Sequence, residues 1–180
     1  MDNPVSTASF EIREATVSDV TALAALHVQT FNETHGIDGP TYVTREYQWR
    51  KLFESGDKDW FCLIIENKQA ELIGFAKGNP YKYDDLPFSG ELNKIYLLRK
   101  YHKMGFGRRL ICQVALQFLN RGISSMLLFG DANNPSNWFY EALGAERLYA
   151  ENGEFHGGYG WRDLKILADR CSSISPEVKE

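Results

Sequence analysis

The sequence predicts a mixed α/β fold, with a central, mostly antiparallel sheet of six to seven strands and helices on both faces. Three observations predict it. Stretches rich in aromatic and β-branched residues alternate with segments of helical period, in the order β-α-α-β-β-β-α-β-α-β-β. The turn Asn67-Lys68-Gln69 between two such stretches implies an antiparallel hairpin. The strand-helix-strand run from Leu92 through Phe129 needs a crossover, so that pair of strands is expected to be parallel.

The elements follow in order. Phe10 to Arg13 alternates as a short strand, and Ser18-Asp19 offers an N-cap to a helix carrying Val20, Leu23, Ala24, Leu26, His27 and Phe31. His35-Gly36 to Gly39-Pro40 breaks it. Thr44 to Phe53 reads as a shorter helix with Tyr47, Leu52 and Phe53 as core contacts. Trp60 to Ile65 and Glu71 to Lys77 form the hairpin, Gly78 to Asp85 a loop, and Leu92 to Leu97 the centre of the next strand. Gly105 to Asn120 has a helical apolar stripe of Phe106, Leu110, Ile111, Val114 and Phe118, closed by Gly122. Ser125 to Phe129 is an unbroken apolar run, as in a strand covered on both faces. Pro135 to Leu143 reads as a helix, and Ala145 to Tyr149 and Trp161 to Leu167 as the last strands. A single domain over 10–168 is expected, with flexible ends at 1–9 and 169–180.

Composition excludes several classes. The chain has 180 residues, 43% of them apolar, so it can build a core and is not bulk-disordered. A net charge of -4 argues against a general nucleic-acid binder. No apolar run approaches the roughly 20 residues of a membrane span, and Met1 to Ser9 lacks the features of a signal peptide. Cys62, Cys112 and Cys171 show neither metal-ligand spacing nor a disulfide framework, which points to a reducing cytoplasm and to no metal.

The chemistry is expected at one turn. Arg99, Lys100, His102, Lys103, Arg108 and Arg109 crowd the connection between the strand ending near Leu98 and the helix starting near Gly105. Cations are unfavourable at a helix N-terminus, which is already partly positive. An anion held by the free amides would compensate them, and Gly105 and Gly107 leave the main chain approachable. The G-x-G spacing alone favours a solvated basic connection; with the cations at the helix start the two readings weigh equally.

The segment from Glu91 to Leu110, with His102-Lys103-Met104-Gly105-Phe106-Gly107, resembles the Q/R-x-x-G-x-G/A signature of the GNAT superfamily of acyl-CoA N-acyltransferases. His102 stands where that signature has Gln or Arg. A second block, Asn133 to Ala145, is similar to the family's N-x-x-A-x-x-x-Y-x-x-x-G-F pattern, with Asn133, Tyr140 and Gly144 in register and Ser136 in place of Ala. The resemblance covers Phe10 to Leu167 and implies a splayed parallel pair of strands in mid-sheet, with acetyl-CoA as co-substrate in the gap.

It also implies roles. The backbone of Ile95, Tyr96 and Leu97 would pair with the pantetheine arm. His102, Lys103, Met104, Gly105, Phe106, Gly107 and Arg108 would hold the pyrophosphate, with Arg109 nearby. Asn133 and Ser136 would contact the cofactor. Glu91 is the candidate general base and Tyr140 the candidate acid for the leaving thiolate. Each has a plainer alternative: a solvent-facing strand carboxylate for Glu91, a core aromatic for Tyr140, and a helix cap for Asn133, with Asn134 as rival. His35, Tyr42, Tyr81, Tyr83, Asp84, Asp85, Glu154 and His156 map to acceptor-binding segments, an acidic and aromatic mix suited to a cationic amine. His27 reads as structural.

The implied reaction is acetyl transfer to a primary amine of a small molecule, with no nucleic acid or membrane as partner and room for a homodimer. The alternatives are a protein N-terminal or lysine acetyltransferase and a non-catalytic acyl-CoA-binding or sensing domain. A P-loop nucleotide site would need Lys-Ser/Thr where Arg108-Arg109 stands.

Overall fold

The computed structural model describes residues 9–172, so the expectations for 1–8 and 173–180 lie outside the described residues. Seven strands are present: β1 (Phe10–Glu14), β2 (Phe61–Asn67), β3 (Leu72–Pro80), β4 (Gly90–Leu97), β5 (Met126–Phe129), β6 (Glu146–Tyr149) and β7 (Phe155–Trp161). The helices are α1 (Val20–His35), α2 (Tyr42–Glu54), α3 (Phe106–Asn120), α4 (Asn137–Ala142) and α5 (Leu164–Ser172). The strands form one sheet in the order β1-β2-β3-β4-β5-β7-β6. β1 and β2 are antiparallel, as are β5 and β7 and β6 and β7, while β4 and β5 are parallel. No helix among the described residues is long and apolar enough to cross a membrane.

Packing divides the chain into two compact units. One joins the residues up to Lys77 to Lys94–Leu110, and the other joins Gly78–Asn93 to the residues from Ile111 on. In the first, Leu23, Ile64, Ile65, Ile73, Phe75 and Phe106 are fully buried. The entry to α1 is fixed electrostatically. The Asp19 carboxylate accepts from the Thr16 amide at 2.8 Å and pairs with Arg13 at 2.8 Å. The bonds from Arg13 hold the Asp19 carboxyl down at about 2. α1 ends at Gly36, whose φ of 64° is left-handed.

In the second unit the parallel ladder is short. Gly90 faces Met126 and Glu91 faces Leu127. Among the described residues, Leu92 and Asn93 have no ladder partner in β5, although Leu128 and Phe129 keep theirs in β7. The parallel pair therefore opens just beyond Glu91, as a splayed pair should.

The structure corrects four expectations. Trp161 to Leu167 is not a strand: β7 ends at Trp161, and α5 begins at Leu164 behind Asp163, whose carboxylate accepts from the Lys165 amide at 2.8 Å. Residues 169–172, expected as part of a loose tail, are the last turn of that helix. The cysteines are not all separate, because α5 brings Cys171 to Cys112 of α3 with Cα atoms 5.9 Å apart, and a disulfide joins them. Tyr47 is 62% exposed rather than a core contact, and the buried residues of α2 are Arg45 and Trp49.

Candidate active site

The basic turn lies wholly in the first unit. β4 ends at Leu97, a 3₁₀ turn covers Arg99–Tyr101, and α3 starts at Phe106. Between them the chain is left-handed twice, at Lys103 (φ 61°) and Gly105 (φ 85°). A lysine in this region is uncommon and costs about 1 kcal/mol or more, so the surroundings must impose it. A Cβ at Gly105 would meet nothing within 4 Å. Glycine is needed there for its φ, and the space above it is open. The opening amides of α3 have no intrahelical acceptors and meet the positive end of the helix dipole. Main chain and dipole together have the polarity an anion would favour.

Most of the turn's side chains are tied into the scaffold. The Nε2–H of His102 donates to the Leu97 carbonyl at 2.8 Å, so the ring braces the turn against β4. Nη2 of Arg109 donates to the Phe10 carbonyl at 3.0 Å. The Arg99 guanidinium donates to the Glu33 carbonyl, and its amide donates to the Glu33 carboxylate at 2.8 Å. The Phe106 ring is fully buried, edge-on to Phe10 at 4.7 Å, which leaves only its amide for a ligand. Lys103 is exposed, and Met104, Gly107 and Arg108 are half-buried. Ile95, Tyr96 and Leu97 are half-buried along β4.

The second unit holds the acid–base candidates. Glu91 is half-buried on β4. Its Oε2 accepts from Nδ2 of Asn79 at 3.0 Å and its Oε1 from Nδ2 of Asn93 at 3.3 Å. Two amides thus fix the carboxylate's orientation, and the Asn93 contact joins two side chains at alternate positions on one face of β4. Asn79 escaped the sequence reading, which took Gly78 to Asp85 as loop, whereas β3 runs through Pro80. Tyr140 on α4 packs tilted against Tyr159 at 5.4 Å and edge-on to Trp161 at 6.3 Å.

Ser136 is the N-cap of α4, so the helix starts two residues later than expected. The Asn134 side-chain Oδ1 accepts from the Ser136 amide at 2.9 Å, and the Asn133 amide donates to the Asp131 carboxylate at 2.8 Å. Neither asparagine is the cap itself. β7 contains Gly157 (φ 90°), where a Cβ would lie 2.4 Å from the Gly130 carbonyl oxygen. Only glycine lets this strand approach the loop leading into Asn133.

The remaining candidates fall in separate places. Tyr81, Tyr83 and Asp84 line a shallow cleft of about 550 Å³ with Phe88, Ser89 and Ser125. Tyr81 donates to Asp85 at 2.7 Å; burial and that bond push its phenol up to about 12, so it stays protonated. His156 pairs with Glu154 at 3.4 Å. His35 meets the Tyr96 hydroxyl at 3.4 Å, and Tyr42 is half-buried at the start of α2. His27 is buried and accepts from the Trp49 indole at 3.2 Å, a structural role. Among the described residues, no His, Cys, Asp or Glu cluster could hold a metal ion.

The family described as FR47-like protein matches residues 85–153, which span both the turn and the Asn133 block. An uncharacterized N-acetyltransferase of Bacillus subtilis, YuaI, is 30% identical over 169 residues, covering 87% of this chain and 95% of the relative. The PaiA N-acetyltransferase of Thermoplasma acidophilum, solved in complex with coenzyme A, superposes with a TM-score of 0.66 at 21% identity, covering 84% of this chain and 98% of the other. YncA of Salmonella typhimurium, solved with its cofactor acetyl-CoA, gives 0.63 at 17% identity over 87% and 94%. With a relative this similar along nearly its full length, the chain belongs to the GNAT superfamily of N-acetyltransferases and is an acyltransferase.

Proposed function

We propose that the protein transfers an acetyl group from acetyl-CoA to a primary amine of a small molecule by direct attack. The observation that carries this reading is the doubly left-handed turn at Lys103 and Gly105, open above Gly105 and feeding the N-terminus of α3. These residues suit a pyrophosphate: amides of 103–108 donate to its oxygens, and Lys103 adds charge. The thioester, once bound, supplies the activated acetyl group. PaiA and YncA, solved with coenzyme A and acetyl-CoA, support the choice of co-substrate.

The residues divide the remaining work. An amine with a pKa near 10 is mostly protonated at neutral pH, so attack requires loss of a proton. Glu91 accepts that proton, directly or through water, with its carboxylate held by Asn79 and Asn93. The amine nitrogen bonds to the acetyl carbon and the carbon–sulfur bond breaks. Tyr140 donates a proton to the departing thiolate and is reprotonated, through water, by the second proton that the acetylated nitrogen loses. The amides of Ile95 to Leu97 polarise the acetyl oxygen.

The test is thermal. A ligand at a hundred times its Kd stabilises by about 2.7 kcal/mol, so acetyl-CoA raises Tm by about 5–10 °C for a chain this size. NAD and ATP leave Tm in place. A flat response to acetyl-CoA overturns the reading. Free-thiol release across a panel of small amines, with an N-terminal peptide and a lysine peptide beside it, separates the small-molecule acceptor from the protein acceptor.

A further inference from the structure

Arg13 and Arg45 show two ways of holding a guanidinium. Arg13 is partly open to solvent and pairs with two carboxylates, Asp19 and Glu66, each at 2.8 Å. Arg45 is only 9% exposed. No carboxylate among the described residues pairs with it. Its Nη1 donates to the neutral Gln48 at 3.2 Å, and its guanidinium carbon lies 5.3 Å from the Phe31 ring centroid. Its Nε–H is buried without any acceptor. Buried arginines are nearly always paired, because a charge taken from water without a counter-charge is costly. An orphaned donor on that charge adds to the cost.

The surroundings reinforce the imbalance. His27, buried beside Trp49, is lowered to about 3 by burial, then by Arg45 and Lys94, so no anion dominates the local field. Tyr96 of β4 lies within electrostatic reach of Arg45, and each shifts the other's proton equilibrium. The Tyr96 ring packs 5.5 Å from His27 and its hydroxyl meets His35. Tyr96 is also one of the three β4 residues assigned above to the acetyl arm.

We propose that Arg45, with the Tyr96 hydroxyl, forms a carboxylate-binding subsite, so that the acceptor is a small amine carrying a carboxylate, of the amino-acid class. This rests on the acetyl-transfer reading of β4. One guanidinium and one neutral hydroxyl match a monoanion better than a doubly charged phosphate or phosphonate. A carboxylate would satisfy the orphaned Nε–H and neutralise the buried charge in one contact. The subsite also discriminates sharply: an uncharged analogue would leave Arg45 as it stands now, buried and unpaired.

The experiment compares amines that differ only in that group. The twenty amino acids, their α-amides and aminomethylphosphonate are assayed by thiol release with acetyl-CoA, and by Tm with CoA present. For wild type, the best amino acid exceeds its amide by about tenfold or more in kcat/KM, and only the acid raises Tm. Arg45→Met keeps the stem's length and packing without the charge; it brings that ratio to about one and leaves the Tm rise with acetyl-CoA intact. Arg45→Lys keeps a charge without the Nε–H and gives an intermediate ratio.

Several results overturn the proposal. One is an amide as good as its acid. Another is a preference for the phosphonate. A third is a twenty-amino-acid panel silent in both readouts. An Arg45→Met variant that loses stability and all activities alike, with the ratio unchanged, marks Arg45 as purely structural. Failure of the acetyl-transfer reading shows separately, as no Tm response of the wild type to acetyl-CoA.

Discussion

The turn after β4 and the surroundings of Glu91 are built in opposite ways. In the turn, side chains are committed to the scaffold: His102 to Leu97, Arg109 to Phe10, Arg99 to Glu33. What remains for a ligand is mostly main chain, set by two left-handed residues and a helix start, with the exposed Lys103 beside it. Around Glu91 the main chain is engaged in the parallel ladder, and the group on offer is a side chain, a carboxylate oriented by two asparagine amides. A main-chain site tolerates side-chain substitution and resists change at glycine. A side-chain site does the reverse. Mutations in the two regions should therefore differ in size and in the parameter they move.

The largest effect is expected on the side-chain side. General acid–base catalysis contributes about 10²- to 10⁴-fold. Glu91→Gln keeps the shape and the Asn79 contact while removing the base, so kcat falls by about that factor while Kd for acetyl-CoA stays within a few-fold. Tyr140→Phe does the same through the leaving group. Isothermal titration beside thiol-release kinetics separates the parameters. Should either variant keep wild-type kcat, that residue is a packing group and its assignment fails.

The next effect is on stability and confined to the second unit. The Cys112–Cys171 bond closes a loop with a sequence separation of 59, for which chain entropy gives about 4 kcal/mol. Cys112→Ser, or added dithiothreitol, should lower Tm by roughly 10 °C while leaving acetyl-CoA affinity at the turn unchanged. If reductant does not shift Tm, the two thiols are apart in solution, as the cytoplasmic expectation from the sequence would have it.

Gly105 is the exception that the main-chain reading requires. Alanine at a φ of 85° costs about 1–2 kcal/mol, and its methyl would project into the open space above the turn. Gly122, at the end of α3, is a matched control with φ 76° and likewise nothing within 4 Å. Both alanine variants should lose a few degrees in Tm. Only Gly105→Ala should also weaken acetyl-CoA binding, by about tenfold. Equal affinities in the two variants would mean that the cradle is elsewhere.

The same contrast explains what could be read from the sequence. The turn was legible because its requirements are local: a glycine at a positive φ, cations at a helix start, a strand before and a helix after. The second block was legible in register, but the N-cap of α4 is Ser136 rather than Asn133 or Asn134. Trp161 to Leu167 misled because Leu164 and Ile166 alternate as in a strand, while Trp161, Leu164 and Leu167 recur at helical spacing. The Asp163 cap, and an Ile166 left 55% exposed, show which period won. β7 was missed because its glycines read as loop, whereas they admit close backbone contact at Gly157. Asn79 and Arg45 left no local signal at all. Their meaning comes from burial and from partners present or missing, which only the tertiary structure supplies.

The smallest expected effect is the most diagnostic for the turn. His102 stands where the family signature has Gln or Arg, and its Nε2–H donates to the Leu97 carbonyl. A neutral hydrogen bond of this kind contributes about 1 kcal/mol net. If the amides hold the pyrophosphate and the ring only braces the turn, His102→Ala should lower Tm by a few degrees and raise Kd for acetyl-CoA less than about fivefold. His102→Gln should recover most of the loss, because a carboxamide N–H can replace Nε2–H. A Kd raised a hundredfold by alanine and rescued only by arginine would show the ring acting on phosphate directly. The turn would then be a side-chain site like the one around Glu91.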